Sequence, residues 1–291
     1  MATRAPSAAK ARTAAAPMPF EPPVTMTTLS LSCRSMPASQ SHWADEGNRH
    51  SVAAFCRGIF HAWQMCGRYT GTTNPEELAV ILALEACTYD FHPRYNIAPT
   101  QTAPVIALEE KGAVLKEMRW GLIPSWAEEA SVGARFINAR VETAADKPAF
   151  REAWRQRRCL VPADGFYEWE RRDGRRQAWH FYLKDRSQFC FAGLWDSWVR
   201  PPDPQGDLFM DAAEPAPVEN FTVLTTEPNT LLASLHDRMP VMLRPEDGEA
   251  WLNEGKAFVK PFPAEEMAGM AVGARVNNAR HDAPDCLAPA G

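Results

Sequence analysis

Apolar and polar positions fall into readable periods only after Thr70. Residues 1–64 are rich in Ala, Ser, Thr, Pro and Met and sustain no period. Such a segment buries too little apolar surface to offset the entropy of ordering it. The first helix start is Asn74-Pro75-Glu76-Glu77: an N-cap, a proline at the first helical position and acid in the first turn. Leu78, Ile81 and Leu82 supply its apolar stripe, and the helix is expected to run to about Ala86. Strand patterns follow over 103–109, 113–120, 135–142, 159–169, 178–184, 189–197 and 219–226. Asp173-Gly174 marks a hairpin turn between two of them. Asp146 to Arg157 reads as a helix with Phe150 and Trp154 one turn apart, and shorter helices are expected over 229–235 and about 246–254. Residues 200–218 are a polar, proline-rich loop. No internal repeat is visible. The pattern predicts an α+β fold: a single domain on a mostly antiparallel, barrel-like β-sheet with a few flanking helices.

Composition narrows the function without naming it. The chain has 291 residues, 45% hydrophobic and 23% charged, as in an ordinary globular protein. No apolar run approaches the roughly 18 residues of a membrane span. The seven cysteines (33, 56, 66, 87, 159, 190 and 286) form no Cys-x-x-Cys pair and no zinc-ligand spacing, so they are read as reduced and the protein as cytoplasmic. Net charge is −5, but residues 135–186 carry 13 Lys/Arg against 8 Asp/Glu. A basic segment in an acidic domain is either the footprint of a phosphate backbone or a pair of solvated faces. Residues 1–40 hold four basic residues and one acidic one, which mimics a transit peptide. Three origins of the first 64 residues stay open: a start codon placed too early, a removable targeting or pro-segment, or a permanent tail.

The candidate chemistry starts at Met65-Cys66-Gly67-Arg68-Tyr69. A cysteine after an initiator methionine becomes residue one when that methionine is trimmed. Its α-amine, with a pKa of about 8, and its thiol, with one of about 8.5, then sit on adjacent carbons. The amine can condense with an aldehyde and the thiol can close a five-membered ring on the same carbon. Glu168 lies in Asp164-Gly165-Phe166-Tyr167-Glu168-Trp169-Glu170, where aromatic neighbours on both sides suggest a low-dielectric wall. A carboxyl so placed holds or relays a proton near neutral pH; the bland alternative is a strand glutamate paired to an arginine. His236, before Asp237, is expected to have its tautomer set and its pKa raised by that carboxylate, unless it is only a capping or core histidine. Asn138 and Arg140 share one face of a strand, and the pattern does not say whether that face is core or site. An amide and a guanidinium so spaced suit a sugar and a phosphate. Tryptophans 120, 126, 169, 195 and 198 lie in segments where aromatics beside basic residues suit unpaired bases, although most tryptophans are core. No phosphate loop or nucleotide fingerprint is present.

Six segments in order resemble the SOS-response-associated peptidase family, whose members process abasic sites in DNA. They are Met65 to Tyr69, Tyr95-Asn96-Ile97-Ala98-Pro99-Thr100, Arg119-Trp120-Gly121-Leu122-Ile123-Pro124, Asn138 to Thr143, Gly165 to Trp169, and His236-Asp237-Arg238-Met239-Pro240, with Val276-Asn277-Asn278 and Cys286-Leu287-Ala288-Pro289 near the end. The resemblance implies that Cys66, freed of its methionine, forms a thiazolidine crosslink with the ring-opened abasic aldehyde in single-stranded DNA. It implies that Glu168 donates and accepts protons, that His236 assists proton transfer and holds the sugar oxygen, and that Asn138 orients the cysteine and the sugar. Arg140 and Trp169 match residues that contact phosphate and stack near the lesion, and Arg68 and Pro99 border the DNA groove. Residues 65–291 would then be the catalytic and DNA-binding domain and 1–64 a leader, never translated or removed. No metal or organic cofactor, no membrane and a monomer are expected. Two other readings compete: a thiol peptidase of Cys66, His236 and Glu168 that cuts its own leader, and a non-covalent single-strand binder built on the basic segment.

Overall fold

The computed structural model describes residues 67–74, 78, 90–110, 112–172, 174–201, 215–255 and 260–291, all within the unit Ala44–Gly291. In chain order the strands are β1 Tyr69–Gly71, β2 Arg94–Ile97, β3 Thr102–Glu109, β4 Gly112–Trp120, β5 Asn138–Arg140, β6 Arg158–Ala163 and β7 Gly165–Arg172. There follow β8 Arg175–Leu183, β9 Phe189–Trp198, β10 Val218–Thr226, β11 Met239–Pro240, β12 Met242–Leu243 and β13 Met267–Val272. The α-helices are α1 Val141–Ala144, α2 Arg151–Gln156 and α3 Gly248–Glu254.

Five strands close into a ring: β4 pairs β3, β3 pairs β6, β6 pairs β9, β9 pairs β10, and β10 returns to β4. The closing pair is parallel, with Asn220 opposite Arg119 and Phe221 opposite Trp120. Closure leaves the ring no open edge. Both faces of its strands are covered, so β6 and β9 read as nearly continuous apolar runs rather than alternating ones. One face, with Val105, Trp120, Val161, Phe191 and Phe221, shares a core with Tyr69, Phe166 and Phe181 of a second sheet. The other, with Ile106, Leu115, Leu160, Leu194 and Leu224, packs under Phe150, Ala153, Trp251 and Leu252 of the helical layer. Arg158 joins that layer to the ring. Its guanidinium donates to the carbonyls of Trp154 (2.8 Å), Trp251 (3.0 Å) and Asn253 (2.7 Å), which caps the ends of α2 and α3 together.

The second sheet is antiparallel throughout, in the order β13-β8-β7-β1-β2. Its far face, with Tyr167, Ala178 and Val272, is covered by Val276, Cys286 and Leu287 of the C-terminal segment. The β7–β8 hairpin turns where expected, with Gly174 at φ 74°, a left-handed conformation that glycine adopts at no steric cost.

The α+β fold and its barrel-like sheet are as the pattern predicted, with local differences. The 159–169 run is two strands, because Asp164 turns its carboxylate onto Thr72 N (2.6 Å), Thr72 Oγ1 (2.6 Å), Thr73 N (2.9 Å) and Thr73 Oγ1 (3.1 Å). The 135–142 strand shrinks to β5, since α1 begins at Val141. The helix expected from Asp146 begins only at Arg151, after Pro148. Residues 230–235 form turns rather than a helix, with Asn229 Oδ1 taking the N–H groups of Leu231 and Leu232 (3.1 Å each). The helix expected over 74–86 lies outside the described residues except at Asn74 and at Leu78, which is helical and buried.

Candidate active site and nucleic-acid groove

The site begins with β1 lying against β7. Tyr69 stands opposite Phe166 and Thr70 opposite Gly165. The Tyr167 N–H then donates to the Arg68 carbonyl at 3.0 Å, so the pairing runs on beyond the strand and sets Gly67 across from Glu168. Cys66, the residue before Gly67, lies outside the described residues.

Glu168 is 3% exposed. Strand alternation puts it on the face of Phe166, with Trp179 as its partner across β8. Trp179 also donates its Nε1 to Glu170 at 3.2 Å. The aromatic wall expected from the sequence is therefore real but made of other residues. Tyr167 and Trp169 turn to the opposite face, and Phe166 and Trp179 stand on the side of Glu168.

That opposite face carries a polar strap. Arg68 Nη1 donates to Asn96 Oδ1 (2.9 Å) and to the Val276 carbonyl (2.8 Å). Asn96 Nδ2 donates to the carbonyls of Val276 (3.3 Å), Asn278 (3.0 Å) and His281 (2.7 Å). The Asp282 carboxylate takes the N–H groups of Tyr95 (2.6 Å) and Asn96 (3.0 Å) and pairs with Arg94. Trp169 Nε1 donates to Asn277 Oδ1 at 2.8 Å, and the guanidinium carbons of Arg176 and Arg68 lie 4.4 and 5.9 Å from its ring centre. Burial, and secondarily Arg176, lower the Arg68 pKa. Asn96 and Asp282 organise this face and were not singled out from the sequence; the only signal was Asn96 inside a family-like segment. Pro99 sits in the turn between β2 and β3, closed by Thr100 N–H to the Trp120 carbonyl at 2.8 Å.

Asn138 and Arg140 belong to β5, which runs parallel to β10. Ala139 between them is buried in the core, and both flanking side chains line a groove of about 540 Å³ with Trp126, Arg135, Lys147 and Thr225. The face that the pattern left undecided is thus the groove face. Trp126 is 62% exposed.

His236 follows the 230–235 turns, its N–H bonded to the Leu232 carbonyl at 3.0 Å. Its Nδ1 lies 2.8 Å from Asp237 Oδ1 and 3.2 Å from the Arg238 N–H, which donates to it. The expected rise in pKa is corrected: burial outweighs the carboxylate and lowers it. The imidazole is accordingly neutral at pH 7 and able to accept a proton. Arg238 holds Glu142 through two bonds (2.7 and 2.6 Å) and the Thr225 carbonyl at 2.6 Å. Thr225 in turn lies between Arg140 of β5 and Pro240 of β11. The end of β10 thereby joins the Asn138 strand to the His236 loop. Leu231 and Leu235, before His236, and Trp179, opposite Glu168, pack on one core.

Three cysteines are described, and burial pushes each thiol up: Cys159 well above its usual value, Cys190 to about 12, and Cys286 upward. None of the three is suited to nucleophilic attack near pH 7. His281, Asp285 and Cys286 bring possible metal ligands within 4.8 Å of one another. They are satisfied internally, since Asp285 holds His281 at 2.6 Å and Arg275 at 3.2 Å. No described helix is long and apolar enough to cross a membrane.

The pattern that defines the SOS response associated peptidase family matches residues 65–279. The abasic site processing protein YoqW of Bacillus subtilis is 34% identical over 233 residues, covering 77% of this chain and 99% of that one. The abasic site processing protein HMCES of Xenopus tropicalis is 27% identical over 277 residues, covering 77% and 78%. A crystal structure of a protein from Bacteroides thetaiotaomicron superposes with a TM-score of 0.63 at 23% identity, over 77% of this chain and all of that one, which establishes the shared fold.

Proposed function

Because the chain belongs to the SOS response associated peptidase family, we propose that it processes abasic sites in DNA by covalent capture at Cys66. The ring-opened sugar presents an aldehyde. The Cys66 α-amine adds to it and water leaves, forming an imine. The thiol sulfur then adds to the imine carbon while its proton passes to nitrogen, and a thiazolidine closes. Glu168 supplies and removes the proton for opening the sugar and for reversal. His236, neutral at pH 7, accepts a proton and holds the sugar oxygen. Asn138 orients the cysteine and the sugar. Arg68, Pro99, Arg140 and Trp169 border a single strand, and exposed Trp126 with Arg135 and Lys147 lines the groove that holds Arg140.

The observation that carries this reading is the pairing of β1 with β7, which sets the residue after Cys66 across from a buried carboxyl. The chemistry also needs a free α-amine, so the working protein begins at Cys66 and residues 1–64 are a leader that is never translated or is removed. The family pattern, which starts at residue 65, supports that boundary. The test is to incubate protein beginning at Cys66 with a single-stranded oligonucleotide bearing one abasic site. A heat-stable adduct is expected. No adduct, or an equal yield from Cys66→Ser, overturns the proposal. The intact mass of the protein from its native host tests the boundary, with a mass that includes residues 1–65 counting against it.

A further inference from the structure

The tip of the β7–β8 hairpin reads Arg171-Arg172-Asp173-Gly174-Arg175-Arg176, four arginines in six residues. The strand register sets Arg171 directly opposite Arg176 and Arg172 opposite Arg175. Like charges in directly opposed positions destabilise a hairpin. Arg171, Arg175 and Arg176 are exposed, and among the described residues none of them has a carboxylate within ion-pair distance. Elsewhere Arg94 is paired with Asp282, Arg157 with Asp196 and Arg238 with Glu142. Alternation puts Arg171 and Arg176 on the same face as Trp169, and Arg176 lies 4.4 Å over its ring. A cationic row thus runs from Arg68 past Trp169 to Arg176 and Arg171; Arg176 and Arg171 repel each other, and Glu168 acts on Arg176 as an opposite charge beyond ion-pair distance.

We infer that this hairpin is a phosphate clamp, in which Arg171 and Arg176 bind backbone phosphates of the single strand whose abasic site lies near Glu168. The inference rests on the proposed function and extends its footprint. Arg171 stands three positions from Glu168 along β7, roughly 10 Å at about 3.3 Å per residue, and on the opposite face of the strand. The row therefore grips phosphates beside the lesion, not at it. The tip carries no aromatic residue, so it reads backbone charge and not bases.

The test measures how binding of the full chain to undamaged single-stranded oligo-dT varies with salt. Each phosphate contact adds about 0.7 to the magnitude of the slope of log affinity against log salt. Arg171→Gln with Arg176→Gln should make the slope shallower by about 1.4, and the gap from wild type should close as salt rises. Arg171→Lys with Arg176→Lys should restore it. A control that removes two exposed cations elsewhere, Arg155→Gln with Arg200→Gln, should leave the slope near wild type. An unchanged slope in the hairpin double variant, or an equal loss in the control, overturns the clamp. Arg171→Gln alone should raise Tm, because it relieves an opposed like-charge pair; a fall would mean that Arg171 supports the fold and would overturn the argument from repulsion. Wild-type protein that crosslinks abasic DNA and shows a steep slope, beside a double variant of equal slope, sinks the clamp alone. Wild-type protein that binds no single strand sinks the proposed function as well.

Discussion

The two faces of the second sheet use the same five strands for different tasks. The inner face is dry: Tyr69, Phe166 and Phe181 pack on the ring, and Glu168 is set among them. The outer face is polar and strapped, with Asn96, Asp282 and Arg68 holding the C-terminal segment through backbone carbonyls and amides. A buried carboxyl needs a low-dielectric setting to keep a proton available, whereas a cationic surface for phosphate needs water and neighbours of like sign. Under the proposed function, strand alternation supplies both from adjacent residues, Glu168 and Trp169, which point to opposite faces of β7.

The largest expected effect is on the outer face. Asn96→Ala removes the acceptor of Arg68 and takes one donor from each of three strap carbonyls, whose other donors are Arg68, the His281 N–H and the Cys286 thiol. The loss should be about 3–4 kcal/mol of stability, read by urea unfolding, with amide exchange in 276–287 rising first. A loss below about 1 kcal/mol would show that apolar packing of Val276 and Cys286 holds the strap unaided.

His180 comes next. It lies on the outer face, tilted against Tyr167 (4.9 Å between ring centres) and stacked on Tyr182 (5.5 Å), with Thr70 Oγ1 3.2 Å from its Nε2. Gly165 leaves it room, since a Cβ there would come within 2.1 Å of Nε2. Burial lowers its pKa from 6.5 to about 4. Between those values the unfolded chain binds the extra proton, so stability falls as pH drops from 6.5 to 4, by about 3 kcal/mol in all. His180→Phe should flatten that arm of the stability profile between pH 4 and 6.5. An unchanged acid arm would mean that another group governs it.

On the inner face, Glu168→Gln keeps the shape and replaces the carboxyl with an amide. The single-turnover crosslinking rate should drop about 100-fold, or about 2.7 kcal/mol, while Tm holds or rises. A rate within threefold of wild type would remove Glu168 from the chemistry and leave the dry face a packing device.

Much of this division was legible in the sequence, for a physical reason. The runs at 159–163 and 189–194 are buried on both faces, so hydrophobicity alone marks them as strands. What was hidden depends on partners distant in sequence. The face of Asn138 is settled by Ala139 packing beneath it, and the pKa direction of His236 by burial that no neighbouring residue announces. Strands β1 and β2 are too short, at 3 and 4 residues, to show a period, and the strap works through backbone groups that carry no sequence signature. Family-like segments pointed to Glu168, but alternation, not adjacency, decides which aromatics surround it.

The smallest effect probes whether the two faces are independent. Asn277 is exposed and accepts the Trp169 Nε1 proton at 2.8 Å. Asn277→Ala removes one partly solvated hydrogen bond, and water can take its place, so stability should fall by only about 0.5–1 kcal/mol. Trp169 and Glu168 are neighbours in the chain but point to opposite sides of β7. A small shift of the Trp169 ring therefore reaches the carboxyl only through the backbone, which β8 holds there by pairing Glu168 with Trp179 and Trp169 with Ala178. The crosslinking rate at saturating DNA should stay within twofold of wild type. A tenfold fall would mean that the strap sets the position of the inner carboxyl through the strand, and the separation of tasks between the two faces would have to be abandoned.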